Sequence, residues 1–220
     1  LAALKIVALE SSSDFCSLAL SVNNRLFSRH KATPREHNQV IIPTLEALFR
    51  EASVNLSDMD AVVYGRGPGS FTGIRIVAAV AQAISMTHDI PLHAVSSLSA
   101  MALSAPPKSH VLTLLDARLG ELYWCAWQRQ PDKLLPLTQE AVSTPQVLVD
   151  WLAKQAVSDW VVLGSGGVIL ERVWSLKGCS TDFECVPRAS NLFPLMSSKT
   201  TGSPALELPI YLRTEAHWKK

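Results

Sequence analysis

Residues 71–84 read FTGIRIVAAVAQAI, and apart from Arg75 and Gln82 this stretch is apolar on every face when wound at helical period. A helix of this kind needs cover on two sides: one flank can lie on a sheet, and the other must meet a further layer or another polypeptide. The residues before it supply the sheet, since 61–64 (AVVY) form a short apolar run and 65–70 (GRGPGS) a glycine-rich turn between strand and helix. The preceding helical stretch repeats the excess, with Ile41, Leu45, Leu48 and Ala52 in one stripe and Val40, Ala47 and Phe49 off it. Two such helices make a patch of the composition a subunit interface needs, unless the rest of the chain covers it.

The remaining pattern predicts what this patch sits on. Residues 4–9 are nearly continuously apolar, 15–22 alternate, and 25–30 follow a two-residue Asn23-Asn24 turn, which reads as a strand and then a hairpin. Thr33-Pro34-Arg35-Glu36 carries a capping-box pattern with proline at the first helical position. A helix is expected from there to Ala52, bent at Pro43, which lacks the amide that would bond back to Gln39. Residues 91–95 return to strand. Beyond Pro106-Pro107 the pattern restarts with strands at 111–115 and 121–128, a weaker one around 134–142, a helix at 145–154, a buried strand at 160–163 and a short helix at 168–176. One or two helical turns are expected within 191–198, then a loop at 199–204. The order predicts an α/β fold of mixed sheets flanked by helices, in two lobes, 1–104 and 105–220, with similar openings and a C-terminal segment placed to return to the first lobe.

Composition excludes several classes. Lys+Arg 20 against Asp+Glu 19 leaves a formal charge of +1, far from the positive field of a stand-alone nucleic-acid binder, so any RNA contact has to be shared with a partner. Cys16, Cys125, Cys179 and Cys185 form no C-x-x-C pair and read as small buried hydrophobes in a reduced, cytoplasmic protein. No apolar run reaches membrane-span length, so no membrane partner is expected.

Candidate chemistry is sparse. The glycine segment 65–75 lies where phosphate loops lie, yet it lacks the Gly-Lys-Ser/Thr ending and a full G-x-G-x-x-G; it serves either a phosphate or a tight turn in which backbone passes close to a neighbour. Two acids stand at strand ends, Glu10 before Ser11-Ser12 and Asp116 before Ala117-Arg118, and Gly166 and Gly167 fall in a strand-to-helix turn. These seven residues, Glu10, Ser11, Ser12, Asp116, Arg118, Gly166 and Gly167, are the candidate nucleotide cleft; the other reading is polar turns with a salt-bridged Arg118. The six histidines form no metal-ligand spacing, and no nucleophile elbow is present. No metal and no catalytic residue is expected.

Residues 64–76 (YGRGPGSFTGIRI), with Pro34-Arg35-Glu36-His37, 116–124 (DARLGELYW) and 209–213 (PIYLR), resemble the bacterial TsaB (YeaZ) family along essentially the whole chain. The resemblance implies an actin-like (ASKHA, ribonuclease H-like) two-lobe fold and a role in making N6-threonylcarbamoyladenosine (t6A) in tRNAs that read ANN codons. It implies a heterodimer with the transferase TsaD through the two over-apolar helices, TsaE joining as the ATPase, tRNA met only through the complex, and a homodimer when alone. Val40, Pro43, Ala47, Phe71, Ile74, Arg75, Ala78, Ala79 and Gln82 are the interface residues expected on that basis. TsaD-like enzymes carry a metal pattern V-N-H-L-E-G-H; the corresponding stretch here is Val95-Ser96-Ser97-Leu98-Ser99-Ala100-Met101, with Ser97 and Met101 at the histidine positions. Family members usually have Asp where this chain has Glu10. The expectation is a non-catalytic subunit without a cofactor of its own, any nucleotide lying at the complex interface. The alternatives are an ATP-binding and ATP-hydrolysing enzyme of the same fold and a glycopeptidase-type protease, as relatives have been labelled.

Overall fold

In the computed structural model, which describes residues 4–33, 36–196 and 208–213, the first hairpin forms as its sequence dictates. Strands β1 (Ile6–Glu10), β2 (Phe15–Val22) and β3 (Arg25–Ala32) run antiparallel in sequence, and Asn23 and Asn24 both take positive φ, 51° and 63°, the conformation that matches a two-residue turn to strand twist. After helix α1 (His37–Ala52), strand β4 (Ala61–Gly65) pairs parallel to β1; after helix α2 (Phe71–His88), β5 (Leu92–Val95) pairs parallel to β4. The five-stranded sheet has the order β3-β2-β1-β4-β5.

Alternation along the strands divides the core in two. Val7, Leu9, Leu18, Leu20, Val62 and Tyr64 face Ile41, Leu45 and Leu48 of α1 and Val77, Ala81 and Ile84 of α2. On the other face Ile6, Ala8, Ala19 and Val63 meet Ala189, which opens the 3₁₀ turn Ala189–Asn191, and Leu192, which links it to a second turn, Phe193–Leu195. Each buried aliphatic side chain contributes roughly 1.5–3 kcal/mol of transfer free energy, so both faces stabilise the sheet.

The second sheet repeats the first. Strands β6 (His110–Arg118) and β7 (Glu121–Arg129) form an antiparallel hairpin, β8 (Leu134–Pro136) continues it, and β10 (Val161–Leu163) and β11 (Ser180–Asp182) add in parallel on the far side of β6, giving β11-β10-β6-β7-β8. A further strand, β9 (Ala141–Ser143), pairs with β7. Helix α3 (Ser97–Ala102) precedes β6, α4 (Pro145–Leu152) precedes β10 and α5 (Gly167–Glu171) follows it. Leu112, Leu114, Trp124, Leu148, Leu152, Trp160 and Leu170 form this sheet's core. The chain divides into two compact units, Leu1–Ala100 with Pro187–Ile210, and Met101–Val186 with Tyr211–Lys220. The boundary therefore falls four residues before the expected 104/105 division, and Pro187–Ile210 are grouped with the first unit while the residues after them are grouped with the second.

Other boundaries differ for local reasons. Helix α1 opens at His37 with Glu36 as cap and no side-chain cap bond, so the capping box expected at Thr33 does not start it; Pro34 and Arg35 lie outside the described residues. The Thr33 hydroxyl instead meets His37 Nδ1 at 3.1 Å. The weak strand expected at 134–142 is two short strands, and the helix expected over 168–176 is a five-residue helix ended by turns. The loop expected at 199–204 lies outside the described residues.

Candidate functional site

Helix α2 turns one face to the sheet and leaves the other open. Phe71 (52% exposed), Arg75, Ala79, Ala83 and Met86 (74% exposed) recur at three- and four-residue steps and form one exposed stripe, with Gln82 half-buried on its flank. The Arg75 guanidinium lies 3.6 Å from the centre of the Phe71 ring, a cation–π stack that holds both large side chains in a fixed arrangement at the first turn. On α1, Ile42 (49% exposed), Pro43 and Ala47 are exposed and Val40 is half-buried.

Two expected interface residues are corrected. Ile74 and Ala78 are buried, at 1% and 4% exposure, on the sheet-facing side of α2. Phe49, read as lying off the packing stripe of α1, is also buried in the first unit's core. Ile42, Ala83 and Met86 are exposed on the same helices without having been expected there, although the four-residue step through Phe71, Arg75 and Ala79 continues to Ala83 in the sequence.

The glycine segment is a packing device. The Ser70 N–H donates to the Ser12 carbonyl at 2.6 Å, the Gly73 N–H to Ser70 Oγ at 3.3 Å, and the Ser11 hydroxyl to the Gly73 carbonyl at 2.9 Å. The turn after β1 thus sits against the N-terminus of α2, where a phosphate would sit in an anion-binding loop. A Cβ at Gly69 or Gly73 would overlap the carbonyl oxygens of Ser12 or Ser11, so glycine is required there by close approach of backbone.

Glu10 is used in the same way. Its carboxyl is 1% exposed, accepts the Ser12 N–H at 2.6 Å on one oxygen and the Ser97 hydroxyl at 2.8 Å on the other, and fills the space a side chain at Gly65 would need. Burial pushes its pKa up, and the bonds from Ser12 and Ser97 oppose that rise. With Ser11 and Ser12 at 0% and 2% exposure, the first three candidate nucleotide contacts are inside the first unit and engaged with it. This corrects their expected place on an open cleft. Ser97, one of the two positions read against the expected metal pattern, is bonded to the Glu10 carboxyl.

The second acid differs. Asp116 Oδ1 accepts the Arg118 N–H at 2.7 Å and Oδ2 the Arg118 guanidinium at 3.4 Å, the salt-bridged reading of this turn. Arg118, Leu119 and Gly120 all have positive φ, 65°, 54° and 75°, at an exposed hairpin tip. Arg213 braces that tip, donating to the Arg118 carbonyl at 3.2 Å and pairing with Glu121 at 2.6 Å. Gly166 and Gly167 are buried; a Cβ at the first would crowd Leu114 and Leu122, and at the second would overlap the Phe183 ring. These two glycines are packing positions as well.

Among the described residues no group of three His, Cys, Asp or Glu side chains is placed to hold a metal ion. The cysteines are free, and burial pushes the thiol pKa of Cys16 to about 11 and of Cys125 to about 12, which keeps both protonated at neutral pH. No helix among the described residues is long and apolar enough to cross a membrane.

Comparison with known proteins places this geometry in a family. The family described as TsaD, tRNA N6-adenosine threonylcarbamoyltransferase, matches residues 29–192, more than half of the chain. The tRNA threonylcarbamoyladenosine biosynthesis protein TsaB of Escherichia coli (strain K12) is 32% identical over 99% of this chain and 98% of its own length, and that of Bacillus subtilis (strain 168) is 28% identical over 97% of each. The solved structure of YeaZ from Pseudomonas aeruginosa superimposes with a TM-score of 0.84 at 32% identity, covering 95% of this chain and all of that one. With two sheets of one strand order and a match along nearly its whole length, the chain belongs to the TsaB (YeaZ) family of tRNA threonylcarbamoyladenosine biosynthesis proteins and has the actin-like fold of that family.

Proposed function

We propose that this chain is a catalytically silent subunit for t6A formation in tRNA, binding TsaD through α1 and α2 and activating it together with TsaE. The observation behind this reading is the exposed stripe of α2, where Phe71, Ala79, Ala83 and Met86 leave apolar surface open around the Phe71–Arg75 stack. Aromatic and arginine side chains held in place beside small residues are what a desolvated interface centre uses. Of the two acids that would supply chemistry, Glu10 is turned inward to Ser12 and Ser97, and Asp116 is paired with Arg118 at the surface. In this reading the subunit needs no nucleotide of its own, meets tRNA only as part of the complex, and pairs with a second copy of itself when TsaD is absent.

Sedimentation of the purified chain mixed with TsaD tests this: a stoichiometric complex is expected, and its absence contradicts the reading. Calorimetry of the chain alone with Mg-ATP is expected to show negligible heat. Saturable binding with turnover would favour the ATPase alternative.

A further inference from the structure

Strand β3 is the outer strand of the first sheet, and its eight residues, RLFSRHKA, contain Arg25, Arg29, His30 and Lys31 and no acid. Pairing with β2 sets their faces: Arg25, Phe27, Arg29 and Lys31 stand opposite Val22, Leu20, Leu18 and Cys16, on the side that α1 packs against. At about 3.3 Å per residue, Arg29 and Lys31 are roughly 7 Å apart and Arg25 lies about 13 Å further along the same line. Arg29 pairs with Glu51 of α1, while among the described residues Arg25 and Lys31 are exposed and have no carboxylate partner. The Arg25 guanidinium lies 5.2 Å from the Phe27 ring centre, which presets its direction. On the other face His30 stacks on Phe15 at 4.8 Å, and exposed Arg188 adds positive charge beside it.

Edge strands often bear charge to block unwanted pairing, but this edge has more than that purpose needs. The strand at the equivalent edge of the second sheet, β8, is Leu134-Leu135-Pro136; shortness and proline protect it without any charge. A line of cations on a rigid strand suits a polymer with regularly spaced negative charge.

We propose that β3, through Arg25 and Lys31 with Arg29 between them, contacts the phosphate backbone of the tRNA held by the assembled complex. This rests on the partner-subunit reading above. Through the Arg29–Glu51 pair the basic line borders α1, one of the two helices given to the partner in the reading above. The formal charge of +1 fits a contact that supplements the partner's binding.

The test measures binding of an unmodified ANN-decoding tRNA to the chain–TsaD complex at several salt concentrations. For the double variant Arg25→Glu, Lys31→Glu, affinity at low salt is expected to fall by about tenfold or more, and the slope of log affinity against log salt to shrink by about two. The neutral pair Arg25→Gln, Lys31→Gln should give a smaller loss in the same direction, and Lys154→Glu, exposed in the second unit, should leave tRNA affinity unchanged. TsaD association and melting temperature are expected to be those of the parent chain in all three. An intact complex whose tRNA affinity and salt slope ignore the β3 reversals overturns this inference and leaves the subunit reading standing. Failure of the parent chain to bind TsaD overturns both.

Discussion

The turns after β1 and after β6 occupy the same place in two sheets of one strand order, and they have opposite fates. The first, Glu10-Ser11-Ser12, is buried and bonded to α2 and Ser97; the second, Asp116 to Gly120, is an exposed tip with three consecutive positive φ angles, held by an ion pair and by Arg213. The helices differ in length. In the first unit α1 and α2 have 16 and 18 residues, with Ile42, Phe71 and Met86 exposed along them; in the second α4 and α5 have 8 and 5, with Val147 and Val168 exposed, and three tryptophans, Trp124, Trp151 and Trp160, pack on one another. One architecture thus places its two turns differently: the first packs against the N-terminus of α2, and the second stays at the surface.

Glycine substitutions separate the turns most sharply. Gly73→Ala drives a Cβ into the Ser11 carbonyl, and since backbone yields little, a loss of about 3 kcal/mol or more is expected in urea unfolding. Gly120→Ala meets open space and costs about 1 kcal/mol, from its φ of 75° alone. Equal effects would show that the first turn is not packed as described.

A smaller difference is expected in pH dependence. The folded pKa of Glu10 is raised by burial, so the native state keeps a proton that the unfolded chain releases near pH 4.3. Stability from this group is therefore full below the unfolded value and is lost as pH rises through the folded one. Glu10→Gln removes the ionisation; its amide oxygen still accepts the Ser12 N–H, and its NH2 can donate to the Ser97 hydroxyl once that hydroxyl turns. Its urea midpoint should hold steady across the window in which the parent's falls, and parallel curves would contradict the assignment. Arg118→Ala should matter least, by less than about 0.5 kcal/mol, because its pair with Asp116 is solvent-screened. A loss above about 1 kcal/mol would mean the second turn is as embedded as the first.

What the sequence made legible is local. The Asn23-Asn24 hairpin, the apolar strand 61–64 and helix α2 follow from period and turn chemistry within a few residues, and the repeat of strand order follows from the repeat of openings. Orientation was not legible. A helix apolar all round has no mark for its inner side, so Ile74 and Ala78 were grouped with Ala79, although the approach of Gly73 to Ser11 turns them inward. The use of Glu10 depends on Ser97, 87 residues later, and such a pairing leaves no periodic trace. α3, with six residues, and β11, with three polar ones, are too short to show a hydrophobic period.

Adjacent residues on opposite sides of α2 allow the central claim to be measured directly. Ala79 is exposed and Ala78 is 4% exposed in the core, so Ala79→Glu should leave the monomer's unfolding unchanged and weaken TsaD association at least about a hundredfold by burying an unpaired carboxylate, while Ala78→Glu should unfold the chain. Sedimentation of Ala79→Glu with TsaD is the decisive reading. Loss of the complex with a folded monomer is the expected result; a complex as tight as the parent's would contradict the account.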